Sequence, residues 1–106
     1  MSKYGNIKTA YNGRIFHSRK EAGFARLLDT MRNAVNPKDK VKDIQYQPRY
    51  PIVIEGKKIC DYVGDFFVLY ADNHSVLYDV KGYRTNVYVL KKKLVEAVYK
   101  IQIVEV

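Results

Sequence analysis

The chain has 106 residues, 47% of them apolar, and its 19 Lys and Arg against 11 Asp and Glu leave a net charge of +8. That length allows one domain with one core, and the apolar content separates it from charged, disordered chains. No apolar run approaches the ~18 to 20 residues that cross a bilayer, and the N-terminus lacks a signal-peptide apolar region, so a cytoplasmic protein with no membrane role is expected. The single cysteine, Cys60, excludes an intramolecular disulfide and a Cys-rich zinc site. So large a positive excess on so small a chain favours polyanionic partners, nucleic acid first. A basic surface that serves only solubility is the plain alternative.

Residues 1–17 read as a basic arm with turn signals at Gly5 and at Asn12-Gly13, the second able to close a small hairpin between "KTAY" and "RIF". Up to Lys20 this segment carries Lys3, Lys8, Arg14, Arg19 and Lys20. The first helix starts at a capping box, Ser18 with Glu21 three residues on, and an apolar stripe of Phe24, Leu27, Leu28, Met31 and Val35 follows. Asn36-Pro37 stops it, because proline disfavours helix at the residue before it. "NPKDKVKD" reads as a charged loop.

From Ile44 the period changes to two. Ile44, Tyr46, Tyr50, Ile52 and Ile54 share one parity, which predicts a strand interrupted by Pro48 and Pro51 at a sheet edge or bulge. A turn at Glu55-Gly56-Lys57 leads to a second strand, "ICDYVGDFFVLY". "ADNHS" turns into a third, "VLYDVKG", completing an antiparallel meander. A second helix is capped by Thr85 or Asn86, with Val87, Leu90, Leu94, Ala97 or Val98, and Ile101 on its stripe. The closing "IQIVEV" is a strand that needs a partner inside the sheet. The fold class is therefore mixed α/β (α+β): helix, three strands, helix, strand.

Three acids and a lysine stand apart: Glu21, Asp65, Asp79 and Lys81. Asp65 interrupts an apolar strand, where aspartate is disfavoured. Asp79 and Lys81 are two residues apart and share a strand face. A three-residue loop Asp72-Asn73-His74 would set Asp65 across from Lys81 and diagonal to Asp79; a two-residue loop would put Asp65 on the other face. Asp61, of the same parity, is the fallback if the register differs. Glu21 borders the apolar stripe of the first helix, where a capping role and a site role both stand.

Carboxylates beside a lysine suit phosphodiester cleavage. Mg²⁺ takes hard oxygen ligands and needs few from the protein. It polarises phosphate and activates water, while a lysine orients the water and stabilises charge on phosphate oxygens.

"GDFFVLYADNHSVLYDVKG", with "FHSRKEA" upstream and "LKKKL" downstream, resembles the PD-(D/E)XK nuclease superfamily. The similarity runs from about Tyr11 to Val106 and is greatest to small phage-encoded members, with Holliday-junction resolvases as neighbours. It implies a restriction-endonuclease-like core with a mixed central sheet. It also implies Mg²⁺ or Mn²⁺ on Asp65, Asp79, Glu21 and the Val80 carbonyl, with Lys81 the catalytic lysine. Gly64 stands where the named motif carries proline. The activity implied is endonucleolytic, on DNA, leaving a 5′-phosphate and a 3′-hydroxyl.

So short a chain has little room for a base-reading module, so DNA shape or branching is the expected target, and a homodimer would supply two active sites. Arg14, Arg19, Lys20, Arg84 and Lys91 are the candidate DNA contacts, whereas Lys92 reads as solvated. His17 and His74 are too isolated for a His-metal nuclease. The tyrosines read mainly as packing. Two other classes remain: a non-catalytic nucleic-acid-binding module of the same fold, and a phage protein that acts by binding another protein.

Overall fold

The computed structural model describes residues 7–81 and 83–106, so Lys3, Gly5 and the Gly82 of the D-x-K-G run lie outside the described residues. The chain divides into two compact units, one of residues 1–43 with 69–74 and one of 44–68 with 75–106. No helix among the described residues is long and apolar enough to cross a membrane.

The first unit opens with a small hairpin of β1 (Thr9–Tyr11) and β2 (Arg14–Phe16), paired Thr9↔Phe16 and Tyr11↔Arg14. Asn12 and Gly13 both have positive φ, 50° and 80°, the conformation a two-residue hairpin turn requires. Helix α1 (Arg19–Thr30) is capped as its sequence predicts, with the Glu21 N–H donating to Ser18 Oγ at 3.1 Å. The Glu21 carboxylate reaches one residue further back than in the usual capping box and accepts from the His17 N–H at 3.3 Å.

The buried face of α1 keeps only part of the anticipated stripe: Leu28 is buried and Phe24 and Met31 are half-buried. It consists of Glu21, Ala22, Ala25 and Leu28, while Leu27 is 52% and Val35 96% exposed. Two alanines let backbones approach closely, a signal that a search for large apolar residues passes over. The helix also ends sooner, running into a 3₁₀ turn over Met31–Asn33 before Pro37 is reached. At its outer side Tyr11 Oη donates to Asp29 at 2.9 Å, and Arg26 lies over the Tyr11 ring.

The three-strand reading becomes five strands. β3 (Val41–Tyr46) begins inside the segment read as loop, and β4 (Arg49–Ile54) is separate from it. β5 (Lys57–Val63) and β6 (Phe66–Tyr70) likewise divide what reads as one strand. The two breaks face each other. The Gln47 N–H donates to the Asp65 carbonyl at 3.0 Å and the Gly64 N–H to the Pro48 carbonyl at 2.9 Å. This register continues into Arg49↔Val63 and Tyr50↔Tyr62. A long hairpin therefore bends at one level, where Pro48 has no N–H and Gln47 takes a φ of 50°. Beyond the bend β4 and β5 form a two-stranded ribbon, closed by Glu55 and Gly56 with φ of 54° and 77°.

β7 (Ser75–Asp79) and β8 (Ile103–Glu105) complete a four-stranded sheet of order β3-β6-β7-β8. β8 lies parallel to β7 with Asp79 opposite Glu105, so "IQIVEV" finds its partner and the sheet is mixed. Helix α2 (Asn86–Tyr99) is capped by Thr85, whose Oγ1 accepts from the Tyr88 N–H at 3.0 Å.

The core of the second unit gathers Ile52, Tyr62, Leu77, Val95 and Ile103, flanked by Tyr88 and Leu94. Here too only part of the anticipated stripe turns inward: Leu94 and Ile101 pack against the core and Val95 is fully buried, while Val87, Leu90 and Val98 are exposed. An α2 that is apolar on several sides offers more than one stripe, and periodicity alone does not choose between them.

Candidate active site

The site forms where the bend, the end of β7 and the start of α2 come together, all within the second unit. Asp65 sits in the bend itself, not inside a strand, which removes the puzzle of an aspartate in an apolar run. The turn before β7 decides whether it meets Asp79. The Tyr70 N–H donates to the His74 carbonyl and the Asn73 N–H to the Tyr70 carbonyl, each at 2.9 Å, so the loop is Ala71-Asp72-Asn73. Asn73 takes a φ of 74°, as the last residue of such a three-residue turn does.

The loop has the anticipated odd length, displaced by one residue toward the N-terminus. That displacement moves the partner of Asp65 by two positions, from Lys81 toward Asp79. The Asp65 N–H donates to the Tyr78 carbonyl at 3.2 Å, and Asp65 Oδ2 accepts from the Val80 N–H at 2.6 Å. The described contact of Val80 with the site is thus through its amide nitrogen.

Asp79 is fully buried. Tyr62 Oη donates to its Oδ2, and Lys81 Nζ lies 3.0 Å from its Oδ1. The lysine contact is an ion pair outside hydrogen-bond angles, and Oδ1 has no hydrogen bond of ordinary geometry among the described residues. Burial pushes the Asp79 carboxyl up to about 7, and its hydrogen bond with Asp65 pushes the same way. The Tyr62 hydroxyl opposes them, followed by the Lys81 charge. Burial and then the hydrogen bond to Asp79 also hold the Tyr62 hydroxyl well above its ordinary value. Two carboxyls that must share a proton to sit together form a place of concentrated negative potential.

Tyr88, on the first turn of α2, forms another wall. Lys81 Nζ lies 4.3 Å from the centre of its ring, and Tyr88 Oη donates to Glu105 Oε2 at 2.7 Å. Glu105 also meets Arg84 at 3.3 Å and Lys92 at 3.7 Å. The Tyr88 hydrogen bond, then the Lys92 and Arg84 charges, keep the Glu105 carboxyl below the usual range. Lys92 is accordingly not the solvated residue that the sequence suggests, its side chain being 19% exposed. The exposed Arg84 is engaged with Glu105. Beside the site an open groove of about 270 Å³ is lined by Asp61, Tyr62, Thr85, Tyr88 and Lys91, among others. Lys91 therefore does face a cleft next to the carboxylates.

Asp61 is held by Lys58 at 2.9 Å and Arg49 at 3.2 Å on the ribbon, which keeps its carboxyl low, the Lys58 bond first. Glu21 belongs to the first unit, where it is buried and acts in the cap. Arg14, Arg19 and Lys20 are exposed in that unit. His17 and His74 are exposed as expected, with His74 stacked on Tyr70 and paired to Asp72. Tyr62, Tyr88 and Glu105 are the members of the site that sequence reasoning missed. Their only signal was the need of the last strand for a sheet partner, which brings Glu105 beside Asp79.

Among the described residues no group of three or more His, Cys, Asp or Glu is placed to hold a metal ion. What the site offers is a pair of carboxylates, one with a buried oxygen lacking a hydrogen bond. Such a pair fits Mg²⁺, which keeps most of its waters and binds through one or two carboxylates. No curated protein and no solved structure matches the chain. Residues 1–104 match the model of a family described as protein of unknown function (DUF1064), and the chain belongs to that family.

Proposed function

We propose that this protein is a Mg²⁺- or Mn²⁺-dependent endodeoxyribonuclease with the restriction-endonuclease-like core of the PD-(D/E)XK superfamily. The observation that carries the reading is the convergence of Asp65, Asp79 and Lys81, from a bend and from the end of a separate strand, around one buried carboxylate. A structural ion pair has no need of a second acid pressed against the first, since breaking up like charges is favourable.

In this mechanism Asp65 and Asp79 would hold the metal, with Tyr62 and the Val80 N–H fixing their orientation. The bound metal supplies polarisation of the scissile phosphate and a more acidic water. Lys81 donates to a phosphate oxygen or to the attacking water, neutralising charge as it builds in the in-line displacement. The net charge of +8 draws the polyanion to the site. Glu21 is not required: the proposal rests on Asp65, Asp79 and Lys81. Branched or otherwise structured DNA is the substrate proposed, to be compared directly with linear and single-stranded DNA.

The test is incubation of purified protein with linear, single-stranded and four-way-junction DNA, with Mg²⁺, Mn²⁺ or EDTA. Cleavage is expected with metal only, and Asp79→Ala and Lys81→Ala each reduce it at least about 100-fold. Cleavage that survives both substitutions removes the assigned site. Absence of cleavage on every substrate with either metal favours a non-catalytic nucleic-acid-binding module.

A further inference from the structure

We infer that Tyr88 is the positioning residue for Lys81, its ring acting as a seat for the ammonium and Glu105 fastening the ring. The effect on rate rests on the nuclease reading above; the seat itself does not.

Lysine side chains on a strand end have four rotatable bonds, and an exposed ammonium samples many positions. Here Lys81 Nζ lies 3.0 Å from Asp79 Oδ1 and 4.3 Å from the centre of the Tyr88 ring. The distance to the ring is well inside the ~6 Å within which a cation is attracted to an aromatic face. An ion pair alone fixes how far Nζ lies from the carboxylate and leaves its direction free. The ring supplies a further constraint, holding Nζ beside the Asp79 carboxylate.

The ring is in turn fixed at both ends. Its backbone N–H is tied to Thr85 Oγ1 at 3.0 Å in the helix cap. Its hydroxyl donates to Glu105 Oε2 at 2.7 Å, and Glu105 stands opposite Asp79 in the parallel β7–β8 pair. The Val106 N–H donates to the Asp79 carbonyl at 3.0 Å and the Lys81 N–H to the Val106 carbonyl at 3.3 Å. The strand that carries the aspartate and lysine and the strand that anchors the tyrosine are therefore one hydrogen-bonded unit.

The seat makes a spectroscopic signature. Protons near an aromatic face are shifted upfield, so the Lys81 ε-methylene resonance of the metal-free protein is expected upfield of those of exposed lysines. Tyr88→Phe keeps the ring and the shift, while Tyr88→Leu loses the shift. Cleavage then falls about tenfold in kcat for Tyr88→Leu with KM nearly unchanged, and by about threefold for Tyr88→Phe, which keeps the ring and loses its bond to Glu105. Fluorinated phenylalanines at position 88 keep shape and fold while draining the ring face. With them kcat is expected to fall stepwise with fluorine number, which a packing role alone does not produce.

A Lys81 ε-methylene at the exposed-lysine position in the wild type, or unmoved in Tyr88→Leu, overturns the seat. So does a kcat flat across the fluorinated series in an enzyme that cleaves. Wild type that shows the upfield shift and cleaves nothing supports the seat and refutes the nuclease reading alone.

Discussion

Stability of the metal-free protein is expected to fall as pH rises from 5 to 8, the reverse of the usual behaviour of a carboxylate with a favourable partner. The cause is Asp79, buried against Asp65 and held protonated up to about 7, against an ordinary value of 3.8. The unfolded chain releases this proton near 3.8, while the folded chain keeps it until about 7. The contribution is therefore fully present below the unfolded value and lost as pH rises through the folded one.

The gap corresponds to about 4 kcal/mol, of which about 2.5 kcal/mol falls between pH 5 and pH 8. For a chain of this size that lowers the melting temperature by roughly 10 to 20 °C. The carboxyls held low, Asp61, Asp72 and Glu105, are ionised throughout this window and leave the slope unchanged. The assay is urea and thermal denaturation in EDTA across that range, for wild type and Asp79→Asn. The asparagine variant stays neutral, so comparison with it isolates Asp79. It should lack the slope, and Mg²⁺ at pH 8 should restore wild-type stability by about 3 kcal/mol at 100 times Kd. Parallel curves for the two proteins, or a wild type that gains stability toward pH 8 in EDTA, would refute the reasoning.

Tyr62→Phe removes the donor to Asp79 Oδ2 and leaves a buried acceptor short of a partner. A loss of about 1 to 3 kcal/mol is expected, larger at pH 8 than at pH 5 because the ionised carboxylate needs the donor more. Denaturation at the two pH values checks it, and equal losses would count against the assigned hydrogen bond. Gly64→Ala places a Cβ 2.8 Å from Leu77 Cδ1, a side chain only 2% exposed. Relief requires Leu77 or the bend to move, at a cost of about 1 to 3 kcal/mol. Because Asp65 follows directly, DNA cleavage should fall with stability; a variant as stable and active as wild type would show that the bend is not tightly packed.

Several elements could be read directly from local rules. Asn12-Gly13 and Glu55-Gly56 mark hairpin turns because two successive positive φ values favour such residues. Ser18 and Thr85 mark helix starts because their oxygens take the N–H three residues on. The D-x-K alternation put Asp79 and Lys81 on one face, and an odd-length loop brought Asp65 to the same place. Other features had no local signature. Both helices bury faces rotated from their full apolar stripes, so that Leu28 and Leu94 turn inward while Leu27 and Leu90 are exposed. The single bend at Pro48 and Gly64 exists only because two breaks 16 positions apart hydrogen-bond to each other.

The sequence by itself determined the two helix caps, the Asn12-Gly13 and Glu55-Gly56 turns and the acids and lysine that could carry chemistry. All of these depend on contacts within a few residues. Only the tertiary structure decided what surrounds the carboxylates. Tyr62 reaches Asp79 and Tyr88 reaches Glu105, each across 17 positions. Such pairs follow from where a strand bends and how a helix is rotated, which many weak packing contacts set together. The same holds for the state of Asp79. Its ionisation depends on burial and on a second acid from another element, neither of which can be read in its neighbours along the chain.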